Sequence, residues 1–292
     1  VPPSVRSRDL YRSRVEKAVA FIGQNLAQPL DLEQLAAVSG FSPYHFHRIF
    51  TAILDETPQD FVNRLRVERA ANLLVKSPAL SITEIALSCG FSSSSTFARS
   101  FKKHFGLPAR QYAHAQRPPD APALAVAREA PHAVPLRVEV RPMPALHLAF
   151  VASLHGYAPV HLGRAWKKIF EWAYARRLVT PTTRVVGISY DDPLITPPNR
   201  CRYYASLTVP ETLTGDPLVG ILDIPAGACA VLHLEGPSEQ IQPAYRALYY
   251  HWLPDSGYQP ADAPCYEVFL DAPDIHPGHP YILDICLPVT PL

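Results

Sequence analysis

The sequence predicts a two-part molecule: an all-α domain with two helix-turn-helix units, then an α+β domain of duplicated strand-helix-strand-strand units. Three observations predict it. A length of 292 residues suits two domains. The pattern Ala36, Gly40, Phe41, Ser42 returns later as Ala86, Gly90, Phe91, Ser92. From Leu136 onward the hydrophobic period changes from helical to alternating, and that texture is itself repeated. Charge divides at the same place: residues 1–118 carry 15 Lys+Arg against 9 Asp+Glu, and residues 119–292 carry 12 against 17. Only the first part suits a polyanionic partner.

Residues 9–26 place Val15, Val19, Ile22 and Leu26 at helical spacing, with Pro29 beyond the end. Asp31 to Gln34 is the next helix-start signal, closed by Gly40. Pro43 opens a helix to about Ile53 that turns Phe46, Ile49, Phe50 and Ile53 inward and Tyr44, His47, Arg48 and Thr51 outward. Thr57 caps a long helix from Pro58 to Val75, with Phe61, Leu65, Ala70 and Leu73 or Leu74 on its apolar side. Its length of roughly 27 Å is near the ~34 Å between successive major-groove faces, so one chain can address two adjacent half-sites. Ser81 to Glu84 reads as a capping box, Gly90 ends that helix, and Ser92 or Ser93 caps the next. There Phe97, Phe101 and Phe105 share the buried side, opposite Ser94, Ser95, Ala98, Arg99 and Lys102. Small hydroxyls, an Arg and a Lys on one exposed helical face suit a nucleic-acid groove.

These segments, FSPYHFHRIF (41–50), ETPQDFVNRLRVERAANLL (56–74), ITEIALSCGFSSSSTFARSFKKHFG (82–106) and LPARQYA (107–113), resemble the DNA-binding domain of AraC/XylS-type transcription regulators over residues 9–117. The resemblance implies base reading by Tyr44, His47 and Arg48 in the first unit and by Ser94, Ser95, Thr96 and Arg99 in the second, and the exposed Lys102 suits a phosphate contact by its own chemistry. Asp55 departs from it, standing where the family usually has Gly. The first unit is therefore expected to be strained or differently capped.

Residues 118–135, rich in Pro and Ala, read as a linker. Residues 136–292 then run strand, helix, strand, strand, and do so again: LRVEVRP and ALHLAFVASL as an opening strand or two, a helix through Trp166, RVVGISYDD and RCRYYASLTV, then ACAVLHLEG, a helix through Tyr245, PCYEVFLDA and YILDICLPV. Such duplicated halves make an antiparallel sheet with two helices, and ligands commonly bind between them. LEGPSEQIQPAYRALYYHWLPDSGY (234–258), APCYEVFLDAP (263–273) and DICLPV (284–289) resemble the GyrI-like, effector-binding domain. That resemblance implies a lipophilic, often cationic ligand and a buried glutamate, here Glu267. Alternation puts Cys265, Glu267 and Phe269 on one face, among apolar neighbours, where a carboxylate needs a positive partner. Trp166 and Phe170 on one helix, Tyr245, Tyr249 and Trp252 on the other, and Tyr204 or its neighbour Tyr203 on a strand between supply rings that attract organic cations.

The expected partners are thus promoter double-stranded DNA and a small-molecule effector, with RNA polymerase as a further contact. The alternatives are a hydrolase using Glu267 as general base, oriented by Tyr204, and a ligand-free protein-interaction module. No nucleophile with a positioned base and no phosphate loop accompanies them. Neither cofactor nor metal is expected: His45 and His47 do not share a helix face, and the 5 cysteines form no CxxC pair. Isolated, odd-numbered cysteines suit a reducing cytoplasm, and no apolar run reaches the roughly 18 residues of a membrane span.

Overall fold

The computed structural model describes residues 5–76, 80–116, 137–193, 195–216, 218–261, 263–271 and 280–292. It divides into two compact units, one helical and one built on a sheet. The expected linker, 118–135, lies outside the described residues.

The helical unit contains α1 (Val5–Gln24), α2 (Leu32–Ser39), α3 (Pro43–Leu54), α4 (Pro58–Lys76), α5 (Ile82–Ser88), α6 (Ser94–Phe105) and α7 (Ala109–Gln116). Its starts follow from local chemistry. Asp31 accepts from the Gln34 N–H and Ser81 from the Glu84 N–H, each returned by the third residue's side chain, while Ser93 caps α6 through the Thr96 N–H. The two turns repeat in geometry as well as in sequence. Gly40 and Gly90 both take positive φ, 68° and 85°, and the following Phe41 and Phe91 donate back to the Ala36 and Ala86 carbonyls. Gly90 has a second duty: a Cβ there would run into the Leu26 carbonyl and lie 3.0 Å from Arg66 Nε. Arg66 itself donates from Nε to the Leu26 carbonyl at 2.9 Å and from NH2 to the Gln28 carbonyl at 2.7 Å, so α4 holds the loop after α1 beside the second turn.

Phe46, Phe50, Phe97 and Phe101 are fully buried, each such burial stabilising by about 1.5–3 kcal/mol. They fix which face of α3 and α6 turns outward. Asp55 ends α3 at φ 55°, ψ 28°, donating to the Thr51 carbonyl, while Gly106 ends α6 at φ 77° and donates to the Lys102 carbonyl. The departure at Asp55 therefore leaves the cap geometry unchanged and places a Cβ in left-handed backbone. Helix α4 is buried on two sides: Phe61 packs 5.4 Å from Phe50, while Val67, Ala70, Ala71 and Leu74 join the core around Phe97 and Phe101. Arg64 bridges Glu56 at 2.6 Å and Glu68 at 3.3 Å, and His104 of α6 lies 3.7 Å from Glu68. One polar chain thus ties the loop after α3 to both α4 and the end of α6.

The second unit contains β1 (Val138–Met143), β2 (Leu146–Ser153), α8 (Pro159–Ala175), β3 (Val185–Ser189), β4 (Tyr203–Thr208), β5 (Gly220–Ile224), β6 (Gly227–Gly236), α9 (Ile241–Arg246), β7 (Tyr258–Pro260), β8 (Tyr266–Asp271) and β9 (Tyr281–Pro291). The strands pair antiparallel in the order β1-β6-β9-β8-β3-β4-β2-β5, with β7 beside β9. The duplicated units are β2-α8-β3-β4 and β6-α9-β8-β9, and they join where β3 meets β8. Each half is completed by a strand contributed from before the other: β1 lies against β6, and β5 against β2. Neither crossing is visible in the sequence pattern, and β5 was not expected. The second helix also differs from the single rod expected: α9 widens to a π-helical turn over Ala247–Trp252 and tightens again at Leu253–Asp255.

Both helices cover one face of the sheet. Ala165, Ile169, Trp172 and Ala173 of α8 pack on Ala149, Val151, Ala205 and Leu207. Ala244 and Leu248 pack on Ala230, Leu232, Leu283 and Ile285. Strict alternation decides the rest. Tyr203 belongs to the helix-covered face, so Tyr204 points to the other, where its ring stacks on Phe150 at 4.5 Å with planes 5° apart. The expectation that Tyr204 stands beside Glu267 is corrected to Tyr203.

Candidate ligand site and nucleic-acid interface

Glu267 lies at the join of the two halves, on β8, opposite Gly187 of β3. The two positions are counterparts: Gly187 pairs with Ala205 in the first half as Glu267 pairs with Ile285 in the second. Only one of them can carry a side chain, because a Cβ on Gly187 would overlap the Tyr203 hydroxyl and lie 2.5 Å from Glu267 Oε2. The duplicated sheet therefore holds a single carboxylate at its centre.

That carboxylate is 2% exposed and receives three hydroxyls. Tyr245 donates to Oε1 at 2.9 Å, Ser189 to Oε1 at 3.0 Å and Tyr203 to Oε2 at 3.1 Å. Tyr203 is in turn hydrogen-bonded to Trp166. Burial pushes the Glu267 carboxyl above the usual carboxylate range, and the donors Tyr245, Ser189 and Tyr203 pull it partly back. Burial first, and the nearby carboxylate second, hold the Tyr203 and Tyr245 phenols well above their ordinary value, so both stay protonated donors. All three partners are neutral; no Lys, Arg or His forms an ion pair with Glu267 among the described residues. Three hydroxyls stabilise the anion without neutralising it, which leaves the charge for a cation to balance.

Aromatic groups surround this centre. Trp166 is edge-on to Phe269 at 5.6 Å and to Tyr203 at 6.1 Å, and Tyr157 is 6.3 Å from Tyr203. Behind Ser189, Asp191 and Arg202 form a buried pair with NH2 to Oδ1 at 2.6 Å and Nε to Oδ2 at 2.8 Å, and Tyr157 donates to the Asp191 carbonyl at 2.6 Å. This fixes the ends of β3 and β4, and with them Ser189 and Tyr203.

Among the residues expected to line the site, Trp166 and Tyr245 meet Glu267 or its tyrosines directly. Phe170 lies one turn further along α8, 6.2 Å from Trp166. Tyr249 reaches Cys265, the residue just before β8. Trp252 stacks on Tyr258 at 6.2 Å instead. Sequence reasoning missed Ser189, Gly187 and Tyr157. A glycine inside the strand RVVGISY is the signal that marks Gly187, since an interior strand glycine indicates a close approach.

In the helical unit, Tyr44, His47 and Arg48 lie on the exposed face of α3, and Ser94, Ser95, Arg99 and Lys102 on that of α6. Thr96 is half-buried, its hydroxyl 3.0 Å from the capping Ser93 Oγ. The Arg48 guanidinium lies 4.6 Å from the centroid of the Tyr44 ring. Among the described residues none of Arg48, Arg99 and Lys102 is held in an ion pair, as contact with an anionic groove requires.

Residues 137–290 match the family described as GyrI-like small molecule binding domain, and residues 35–115 match one described as a helix-turn-helix domain. The HTH-type transcriptional regulator GbdR of Pseudomonas aeruginosa is 35% identical over 97 residues, which are 33% of this chain and 26% of that protein. The chain thus spans about a quarter of GbdR. The regulatory protein SoxS of Escherichia coli is 28% identical over 104 residues, 36% of this chain and 96% of SoxS. A cryo-EM structure of an EcmrR–DNA complex is 14% identical with a TM-score of 0.48, covering 89% of this chain and 99% of the other.

Proposed function

Because the chain belongs to the GyrI-like small-molecule-binding family, with an AraC-type helix-turn-helix domain ahead of that region, we propose that it is a sequence-specific transcription regulator whose second domain binds a lipophilic organic cation. Residues 9–117 read promoter DNA and residues 136–292 sense the effector. Arg48 and Arg99 read base edges, the small residues of α6 allow close approach, and Lys102 meets phosphate. The effector alters affinity for DNA or the contact with RNA polymerase. The curated relatives GbdR and SoxS are transcription regulators, which supports this reading over an enzymatic one.

The observation that carries the proposal is the buried Glu267, held by three neutral hydroxyls and ringed by aromatics. Titrating the full chain with hydrophobic ammonium and phosphonium ions, beside neutral isosteres, tests it through intrinsic tryptophan fluorescence. Glu267→Gln should weaken the cations by about 2 kcal/mol or more and leave the neutral compounds nearly unchanged. Equal losses in both series would remove charge pairing from the account.

A further inference from the structure

The outer faces of α3 and α6 keep one arginine in common and differ around it, most tellingly at the residue one turn before it. Phe46, Arg48 and Phe50 correspond to Phe97, Arg99 and Phe101, so Tyr44 corresponds to Ser95. In the first unit the guanidinium is stacked over the tyrosine ring one turn earlier, 4.6 Å from its centroid. Tyr44 is itself 60% exposed, an aromatic on an outer face that serves no core. The second unit has only Ser95 at that place, engaged with Ser93 at 3.0 Å, and Arg99 makes no hydrogen bond, ion pair or ring contact among the described residues.

An arginine loses rotamer freedom when it docks on a base, and a planar partner that already restrains it lowers that loss. We infer that Tyr44 is a positioning residue for Arg48, so that the first half-site is read by a pre-ordered arginine and the second by an adaptable one. The inference rests on the reading of residues 9–117 as a DNA-binding domain. It predicts unequal stringency within one operator: narrow base preference opposite Arg48 and wider tolerance opposite Arg99. Ring stacking is the operative contact, and the phenolic hydroxyl is dispensable.

Selection of the full-length chain on a randomised double-stranded DNA library tests this. The wild type should yield a motif of two blocks, assigned by the block that flattens in Arg48→Ala and in Arg99→Ala. Tyr44→Ala should weaken the selected sequence about two- to fivefold, the range of an exposed cation–π contact. It should also flatten base preference in the Arg48 block alone, while Tyr44→Phe retains it. Unchanged preference in Tyr44→Ala, equal flattening of both blocks, or a loss in Tyr44→Phe matching that of Tyr44→Ala would overturn the positioning role. The Arg99 block reports independently that the variants are folded. Should the wild type select no motif at all, sequence-specific DNA binding falls, and the positioning role with it.

Discussion

A buried carboxylate with three donors and no counter-charge among the described residues makes Glu267 a group whose protonation is tied to folding and, under the proposed function, to ligand binding. Its pKa in the folded chain lies above the ordinary value of 4.5, burial being the main cause. The folded state therefore binds this proton more tightly than the unfolded state. The favourable contribution to stability is fully present below about 4.5 and is lost as pH rises through the folded pKa. Glu267→Gln keeps a neutral side chain throughout. Without ligand, the melting temperature of the wild type should fall relative to that of the variant as pH is raised from 4.5 to 8. Over the same window cation affinity for the wild type should rise, because the proton and the cation compete for one site. Thermal melts and titrations across that range check both slopes, and a melting difference that ignores pH would show that Glu267 is not the titrating group.

At the scale of elements, the helix ends hold the clearest physical signals and the clearest test. Asp55 and Gly106 close α3 and α6 with the same left-handed cap, yet only glycine adopts that backbone without a Cβ penalty. Asp55→Gly should stabilise the helical unit by up to about 1 kcal/mol, less the entropy that glycine adds to the unfolded chain. Gly90→Ala should do the opposite, costing about 1–3 kcal/mol, because the new methyl meets the fixed Leu26 carbonyl. Urea unfolding of the two variants beside the wild type measures both signs. The capping boxes at Asp31 and Ser81 were legible because their partners are three residues away. The π-helical turn at Ala247–Trp252 was not, since nothing in YRALYYHW distinguishes a widened turn from a regular one.

For the whole molecule, the charge division suits a polyanion at the helical domain, and the proposed organic cation is taken by the second. A regulator of this kind requires a coupling free energy between the two ligands, and that coupling is reciprocal. If a cation changes affinity for the selected DNA by some factor, DNA should change affinity for the cation by the same factor, about fivefold or more. Fluorescence titrations in both directions, at one salt concentration, measure the two factors. An effector that binds at Glu267 and leaves DNA affinity unchanged would exclude this coupling and direct the regulatory step to RNA polymerase.

By itself the sequence determined the starts of α2 to α6, the doubled turn at Gly40 and Gly90, the outward faces of α3 and α6, and the apolar company of Glu267. Each depends on residues within a turn or two of one another, where spacing and capping chemistry act directly. Tertiary structure decided what lies far apart in the chain. Strand register put the Tyr203 hydroxyl, rather than that of Tyr204, on Glu267 across 64 residues, and Ser189 across 78. The crossing of β1 and β5 between halves, and the exclusion of any side chain at Gly187, belong to the same class. A slip of one residue in any of these pairings would turn a whole set of side chains to the other face, and local hydrophobic period carries no information about which distant strand is the neighbour.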